Sequence, residues 1–161
     1  MTLNSFNFNT TPGLRFGIGQ AKDSCKEIFN KLGSRILFIT DKGLMSLGLT
    51  KITIEELKKM GSVEVFDDVE ADPSQKTLIK AIETGKKFKA TGVIGFGGGS
   101  SMDVAKLSAL ILGSNEDLEK AWGVANAKGP RLPLALVPTT AGTGSEVTPV
   151  SIITVGEEEK K

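Results

Sequence analysis

Short runs of apolar residues alternate along the chain with longer stretches whose apolar positions have helical spacing. Four of these runs predict strands that are covered on both faces: Arg35 to Thr40, Val63 to Phe66, Gly92 to Phe96 and Leu132 to Val137. A fifth strand is expected over Val147 to Val155. Because strands that alternate with helices favour a parallel sheet, this order predicts an α/β fold in which helices flank a parallel sheet.

Three helices are expected beside these strands. Ala21 to Leu32 and Ile54 to Met60 each run up to a glycine, which commonly follows the last residue of a helix, and Gln75 to Lys89 forms the third. Near the start, apolar residues alternate from Phe6 to Gly19 and predict an amino-terminal β-hairpin. A chain of 161 residues and 17.0 kDa suits one hydrophobic core, so residues 1–161 are expected to form a single domain.

Composition narrows the classes of function. The 20 Lys and Arg against 19 Asp and Glu leave a net charge of +1, so no basic surface indicates nucleic acid or a membrane as a partner. There is no long apolar run and no signal-peptide pattern, and the single cysteine, Cys25, favours a cytoplasmic location. The sequence has no histidine, the commonest general base and transition-metal ligand, so no catalytic residue and no metal ligand is assigned in this chain.

A run of glycines and serines, Gly97 to Ser101, separates an apolar strand from a helical stretch. Glycines allow unusual φ angles and let a ligand approach the backbone, while the start of a helix offers free N–H groups and the positive end of its dipole. This turn therefore predicts a phosphate site, with hydroxyls from Ser100 and Ser101 and with Asp103 in the first helical turn. The alternative is a plain glycine turn, with an Asp103–Lys106 pair on the helix surface.

The common dinucleotide-binding pattern G-x-G-x-x-G is incomplete at both places where it begins. Lys22 replaces the third glycine after Gly17-Ile18-Gly19, and Ser100 replaces it after Gly95-Phe96-Gly97. The best candidate for the acid that binds a ribose is Asp41, which ends an apolar strand. A carboxylate there accepts hydrogen bonds from ribose hydroxyls and repels a 2′-phosphate, which favours NAD over NADP. Its alternative role is to cap the turn that follows.

Hydroxyl residues and glycines are concentrated again in the segment PTTAGTGSEVT, from Pro138 to Thr148. Small residues of this kind let hydroxyl groups and backbone approach a flat or anionic ligand, although they are also frequent in ordinary turns. Both this segment and the glycine segment follow predicted strands. Because open α/β sheets bind ligands at the carboxyl ends of their strands, the two segments predict one site.

Together, GGGSSMDVAK and PTTAGTGSEVT resemble the iron-containing (group III) alcohol dehydrogenase family, whose nucleotide-binding domain is Rossmann-like, and the resemblance runs from Phe6 to Lys161. In that family the first segment holds the pyrophosphate of NAD, and an acid after the first strand binds the adenine-side ribose. One departure is Asp72, where many members carry Asn. The residues to which the resemblance gives cofactor-binding roles are Asp41, Gly97, Gly98, Gly99, Ser100, Ser101, Asp103, Thr139, Thr140, Thr143, Thr148, Val150 and Lys161.

The resemblance also implies a partner domain. Family members continue into an all-helical domain that supplies an Asp and three His to Fe²⁺, or to Zn²⁺ in some, and this chain is expected to end before that domain. The implied function is the NAD-binding half of a metal-dependent dehydrogenase that acts on a small alcohol or aldehyde, in a homodimer or larger homo-oligomer. The isolated chain is expected to be inactive. A stand-alone nucleotide-binding module and a lyase similar to dehydroquinate synthase stay open as alternatives.

Overall fold

A parallel sheet of four strands lies at the centre of the computed structural model, which describes residues 11–123 and 125–156 and the backbone of 159–160. The strands are β1 (Arg35–Ile39), β2 (Ser62–Phe66), β3 (Gly92–Gly97) and β4 (Leu134–Pro138). Their order is β2-β1-β3-β4, and the register pairs Ile36 with Val63 and Ile94 with Ala135. The predicted α/β fold and its four parallel strands are thus confirmed, with bounds that differ only slightly from the predicted ones.

Helices cover both faces of this sheet. They are α1 (Gln20–Asp23), α2 (Cys25–Leu32), α3 (Lys42–Ser46), α4 (Lys51–Lys58), α5 (Gln75–Phe88), α6 (Gly99–Ser114) and α7 (Leu118–Ala121). Successive side chains of a strand point to opposite faces. Accordingly, Leu37 and Ile39 pack in a core with residues of α5 and α6, whereas Ile36 and Phe38 pack in a second core with residues of α2 and α4. Among the described residues, no helix is long and apolar enough to cross a membrane.

Local sequence explains where several helices begin and end. Ser74 caps α5, because its hydroxyl accepts a hydrogen bond from the N–H of Thr77 at 3.2 Å. Helix α2 ends at Leu32 and is followed by its C-cap residue, Gly33, whose φ of 84° glycine adopts most easily. The predicted helix 21–32 is divided at Ser24 into α1 and α2, and the helix predicted over 54–60 begins earlier, at Lys51.

The two other predicted β-elements are largely wrong. Within 147–155 only Thr154 and Val155 form a strand, β5, which pairs antiparallel with β6 (Glu159–Lys160). The preceding residues lie against α6 and bond to it instead, so local strand propensity gives way to tertiary contacts. Of the predicted hairpin 6–19, residues 6–10 lie outside the described residues, and residues 11–19 contain bends and turns but no strand. Phe16 and Ile18 are exposed there, and no strand among the described residues pairs with this segment.

Candidate functional site

Three loops meet at the carboxyl edge of the sheet. They comprise residues 40–41 after β1, residues 97–99 at the junction of β3 and α6, and residues 139–146 after β4. The chain leaves β1 toward β2 on one side and later places β3 on the other side, so the connections diverge between β1 and β3. In open parallel sheets this point of divergence forms the crevice in which ligands bind. The sheet order therefore places the loops after β1 and β3 on the two sides of the crevice at which sheets of this kind bind ligands.

The turn from β3 into α6 has a helix start without a side-chain cap. Gly98 is the N-cap residue and offers no side chain, so none accepts from the N–H groups of the first turn. The helix dipole adds partial positive charge at the same place. Of the three glycines, Gly97 alone has a φ that glycine favours, at 153°, and a Cβ there would lie 2.7 Å from Oγ of Ser101. The turn thus suits an anionic group such as a phosphate.

Gly98 and Gly99 line an open space that faces the loop after β4. The φ of Gly98 is −77°, which any residue can adopt, so the expected unusual φ angle is wrong at this position. A Cβ on Gly98 would lie 3.6 Å from the side chain of Thr140, and one on Gly99 would lie 3.4 Å from Thr143, both ordinary contacts. The fold therefore has room for a Cβ at Gly98. Without that Cβ, the space in front of the backbone is open to a ligand.

Asp41 lies at the start of α3, next to the glycine turn. Its Oδ1 accepts a hydrogen bond from the N–H of Leu44 at 2.9 Å, so the capping role considered for this residue is present. The side chain of Leu44 reaches the glycine turn, because a Cβ on Gly97 would lie 3.2 Å from its Cδ1. The cap uses one oxygen of a half-buried carboxylate that has two. Capping α3 and binding a ribose are therefore compatible roles.

Lys42 and Asp68 form an ion pair beside Asp41. Lys42 contacts the carboxylate of Asp68, and the backbone of Asp68 forms an isolated bridge with that of Asp41. The hydrogen bond to Asp68 raises the pKa of Lys42, and the same bond lowers the pKa of Asp68. Within 11–123 and 125–156, no lysine or arginine forms an ion pair with Asp41 itself. Among those residues, the carboxylate of Asp41 at the edge of the crevice therefore has no cationic partner.

Asp103 lies beneath the segment that follows β4. Its Oδ1 accepts from the hydroxyl of Ser145 and contacts Nζ of Lys106 at 2.9 Å, while its Oδ2 accepts from the N–H of Ile152 at 3.0 Å. The Asp103–Lys106 pair, considered as a surface feature of the helix, is in fact buried, with side chains 11% and 10% exposed. Because the chain itself occupies both oxygens of Asp103, a direct contact with the cofactor stays a prediction.

The other predicted site residues differ in how accessible they are. Ser100 is half-buried, and Ser101 is buried with its hydroxyl close to Gly97. Lys161 lies outside the described residues. The predicted site residues in and just after the loop that follows β4 are all exposed: Thr139, Thr140, Thr143, Thr148 and Val150. The structure brings this loop to the glycine turn, where the N–H of Thr139 donates to the carbonyl of Gly97 at 2.9 Å.

Sequence reasoning left two residues out of the site, Lys106 and Ser145. Both are largely buried between α6 and the segment after β4, where they bond to Asp103. The i, i+3 spacing of Asp103 and Lys106 was a visible signal, but it is also the spacing of an ordinary surface pair. Only the path of residues 145–152 over α6 shows that this pair is buried and not exposed on the helix surface.

The described residues do not fit a metal centre. No group of three or more His, Cys, Asp or Glu side chains that could hold a metal ion occurs in this part of the chain. Cys25 is buried on α2, where desolvation raises the pKa of its thiol, and nearby Glu56 raises it further. A thiolate is the form that binds metals, so this environment disfavours Cys25 as a ligand.

Comparison with known proteins identifies the family. The family model for iron-containing alcohol dehydrogenase matches residues 12–161. The chain belongs to the iron-containing alcohol dehydrogenase family. This confirms the resemblance that the two motifs carry.

Relatives in this family are similar along almost the whole chain. The chain is 33% identical over 151 residues to a sulfoacetaldehyde reductase of Bilophila wadsworthia (strain 3_1_6), which covers 92% of this chain and 39% of the relative. It is 39% identical over 152 residues to a choline dehydrogenase of Bacillus subtilis (strain 168), and that match covers 92% of this chain and 38% of the relative. Among solved structures, the chain is similar to a crystal structure of sulfoacetaldehyde reductase from Bifidobacterium kashiwanohense in complex with NAD⁺, with a TM-score of 0.82 and 30% sequence identity. The match covers 98% of this chain and 43% of that one. The chain thus spans about two fifths of the length of these relatives.

Proposed function

We propose that this chain binds NAD at the carboxyl edge of its sheet and serves as the nucleotide-binding part of an alcohol or aldehyde dehydrogenase. The observation that carries the proposal is the uncapped start of α6, which lies beside the β1–β3 crevice and opposite the threonine-rich loop. A pyrophosphate is an anion that such a helix start binds through backbone N–H groups. Family membership supports the proposal, and the reductase of Bifidobacterium kashiwanohense is described in complex with NAD⁺.

Each proposed contact follows from a position in the site. The N–H groups of Gly99, Ser100 and Ser101 donate to the pyrophosphate, and Gly98 leaves its approach clear. Asp41 accepts from ribose hydroxyls with the oxygen that does not cap α3. NAD, when bound, supplies the acceptor for a hydride. The contacts proposed from the resemblance alone are those of Asp103, Thr139, Thr140, Thr143, Thr148, Val150 and Lys161.

The proposed substrate is a small alcohol or aldehyde. One relative is a sulfoacetaldehyde reductase and another is a choline dehydrogenase, so the comparison supports both an aldehyde and an alcohol as the reacting group. The family match favours a dehydrogenase over the lyase alternative. The family implies a metal-dependent reaction, and the described residues offer no metal-binding cluster, so no residue among them is proposed as a metal ligand. A homo-oligomeric assembly and a cytoplasmic location stay predictions.

The charge of Asp41 gives the first test. Asp41→Asn is expected to lower the ratio of the Kd for NADP to the Kd for NAD by about tenfold, because the repulsion of a 2′-phosphate by a nearby carboxylate is worth about 1 to 3 kcal/mol. Asparagine still accepts the hydrogen bond from Leu44, so α3 keeps its cap. Calorimetric titration with both nucleotides measures the two constants.

Asp117→Asn is the matched control. Asp117 also caps a short helix, α7, by accepting from the N–H of Glu119. It comes after the carboxyl end of α6, a helix about 24 Å long whose opposite end is the proposed site. This variant is expected to leave both dissociation constants unchanged. If the unmutated chain binds NAD and NADP equally well, Asp41 has no role in selecting the nucleotide.

A further inference from the structure

Lys106 makes a set of contacts that the proposed pyrophosphate site does not require. Its side chain is 10% exposed, and its Nζ donates to the carbonyl oxygens of Ser145 at 3.0 Å, of Thr148 at 3.4 Å and of Val150. The same Nζ lies 2.9 Å from Oδ1 of Asp103. An ammonium group has three hydrogens to donate. At Lys106 all of them are used by the carboxylate of Asp103 and by backbone carbonyls of one segment, residues 145–150.

Asp103 bonds to the same segment from the same helix. It accepts from the hydroxyl of Ser145 and from the N–H of Ile152. Two side chains of α6, three residues apart, therefore hold the beginning, the middle and the end of residues 145–152. We refer to these residues as the 145–152 segment.

Besides those to Asp103 and Lys106, the hydrogen bonds of the 145–152 segment within the described part of the chain are local: the N–H of Val147 donates to the carbonyl of Gly144 at 3.0 Å, and the N–H of Ser145 donates to Oγ1 of Thr143 at 3.4 Å. It contains one turn and no helix or strand, and Val147, Val150 and Ile152 are 39%, 55% and 53% exposed. Apolar burial begins only after the segment, at Ile153. A segment with few buried apolar contacts depends on its polar contacts for order, and here the contacts of long sequence separation come from Asp103 and Lys106.

We propose that Lys106 is a positioning residue of the nucleotide site, which fixes the backbone at Thr148 and Val150 without touching the nucleotide. The inference rests on the proposed function, since Thr148 and Val150 are cofactor contacts only there. Asp41 lies on the β1 side of the glycine turn and binds the adenine-side ribose in that proposal. The nicotinamide half of NAD therefore extends toward the β4 side, where the 145–152 segment lies.

The test compares two nucleotides in the full 161-residue chain with Lys106→Met. NAD affinity is expected to fall tenfold or more, because methionine keeps the length of the side chain but cannot bind the three carbonyls. The affinity for ADP, which lacks the nicotinamide half, is expected to stay within about twofold. Lys120→Met is the control, because Lys120 forms an i, i+3 pair with Asp117 that is largely exposed, and it should change neither affinity.

Hydrogen exchange supplies a second measurement, which needs no nucleotide. In Lys106→Met the amides of Val147 and Ile152 should exchange faster, while those of β1 and β3 keep their protection. If the variant does not fold, Lys106→Arg replaces it, because a guanidinium can pair with Asp103 but its planar donors do not match three carbonyls around one atom. The same loss of NAD affinity without loss of ADP affinity is expected.

Several results overturn the inference. Unchanged NAD affinity or unchanged exchange in the variant shows that Lys106 positions nothing, and equal losses for NAD and ADP show a merely structural role. These failures differ from a failure of the proposed function, in which the unmutated chain binds neither NAD nor ADP. In that case the inference falls with the proposal on which it rests.

Discussion

Gly98→Val is expected to weaken NAD binding at least a hundredfold while the chain keeps its fold. The backbone of Gly98, with φ −77° and ψ −171°, is extended and suits a β-branched residue. Its Cβ would lie 3.6 Å from Thr140, which is an ordinary van der Waals contact. The valine side chain would instead fill the space in front of the N–H groups of α6, which the pyrophosphate needs.

Two measurements separate binding from stability in this variant. Calorimetric titration gives the Kd for NAD, and urea unfolding should show a free energy of unfolding within about 1 kcal/mol of the unmutated chain, the range of an N-cap substitution. Gly13→Val is the control, because Gly13 has no atom within 4 Å of a built Cβ and lies outside the site. A folded Gly98→Val chain that binds NAD normally would place the pyrophosphate elsewhere.

Gly95→Val is expected to have the opposite effect, with a large loss of stability. Gly95 lies inside β3, where a Cβ would be 2.7 Å from Cβ of Ala105, 2.9 Å from Leu136 and 3.2 Å from the backbone of Met102. Because α6 packs this closely on the sheet, even one added carbon overfills the interface, and valine adds three. The expected loss is about 3 kcal/mol or more in the free energy of unfolding.

Urea unfolding measures this loss as a lower midpoint with an unchanged slope. The remaining folded chain should bind NAD with a normal Kd unless α6 is displaced, since Gly95 is buried behind the turn. Gly98→Val serves as the comparison within the same run of glycines. A Gly95→Val chain as stable as the unmutated one would show that α6 does not lie so close to β3.

These two glycines show what the sequence can and cannot predict. The apolar run from Gly92 and the helix after it are visible from residue types alone, and so is an anion site at their junction. The separate role of each glycine cannot be predicted from residue types. Gly95 allows close packing, Gly97 supplies a φ of 153° and Gly98 stays open, because Leu136, Ser101 and Thr140 come close only in the folded chain.

The fifth predicted strand failed for a related reason. Val147 to Val155 is rich in β-branched residues, which favours a strand locally. In the structure, the N–H of Ile152 bonds to Asp103, 49 residues earlier, and Lys106 binds the carbonyls of the same segment. Contacts of such long sequence separation override local propensity, and no local pattern reveals them.

Asp41 shows a case in which the sequence left two roles open and the structure makes them compatible. Its position after an apolar strand predicted both a cap and a ribose contact. The structure contains the cap, and the strand order places the same carboxylate at the crevice between β1 and β3. The ribose contact stays a prediction that the titrations above test.

The most direct test of the proposed nucleotide site is a titration of the nitrogen-15-labelled chain with NAD, observed at its backbone amides. The amides of Gly99, Ser100 and Ser101 should shift and saturate with one Kd, because their N–H groups donate to the pyrophosphate. The amides of α7, beyond the opposite end of α6, should not move. Saturable shifts that spare the start of α6, or no shifts at millimolar NAD, would contradict a pyrophosphate site at this helix start.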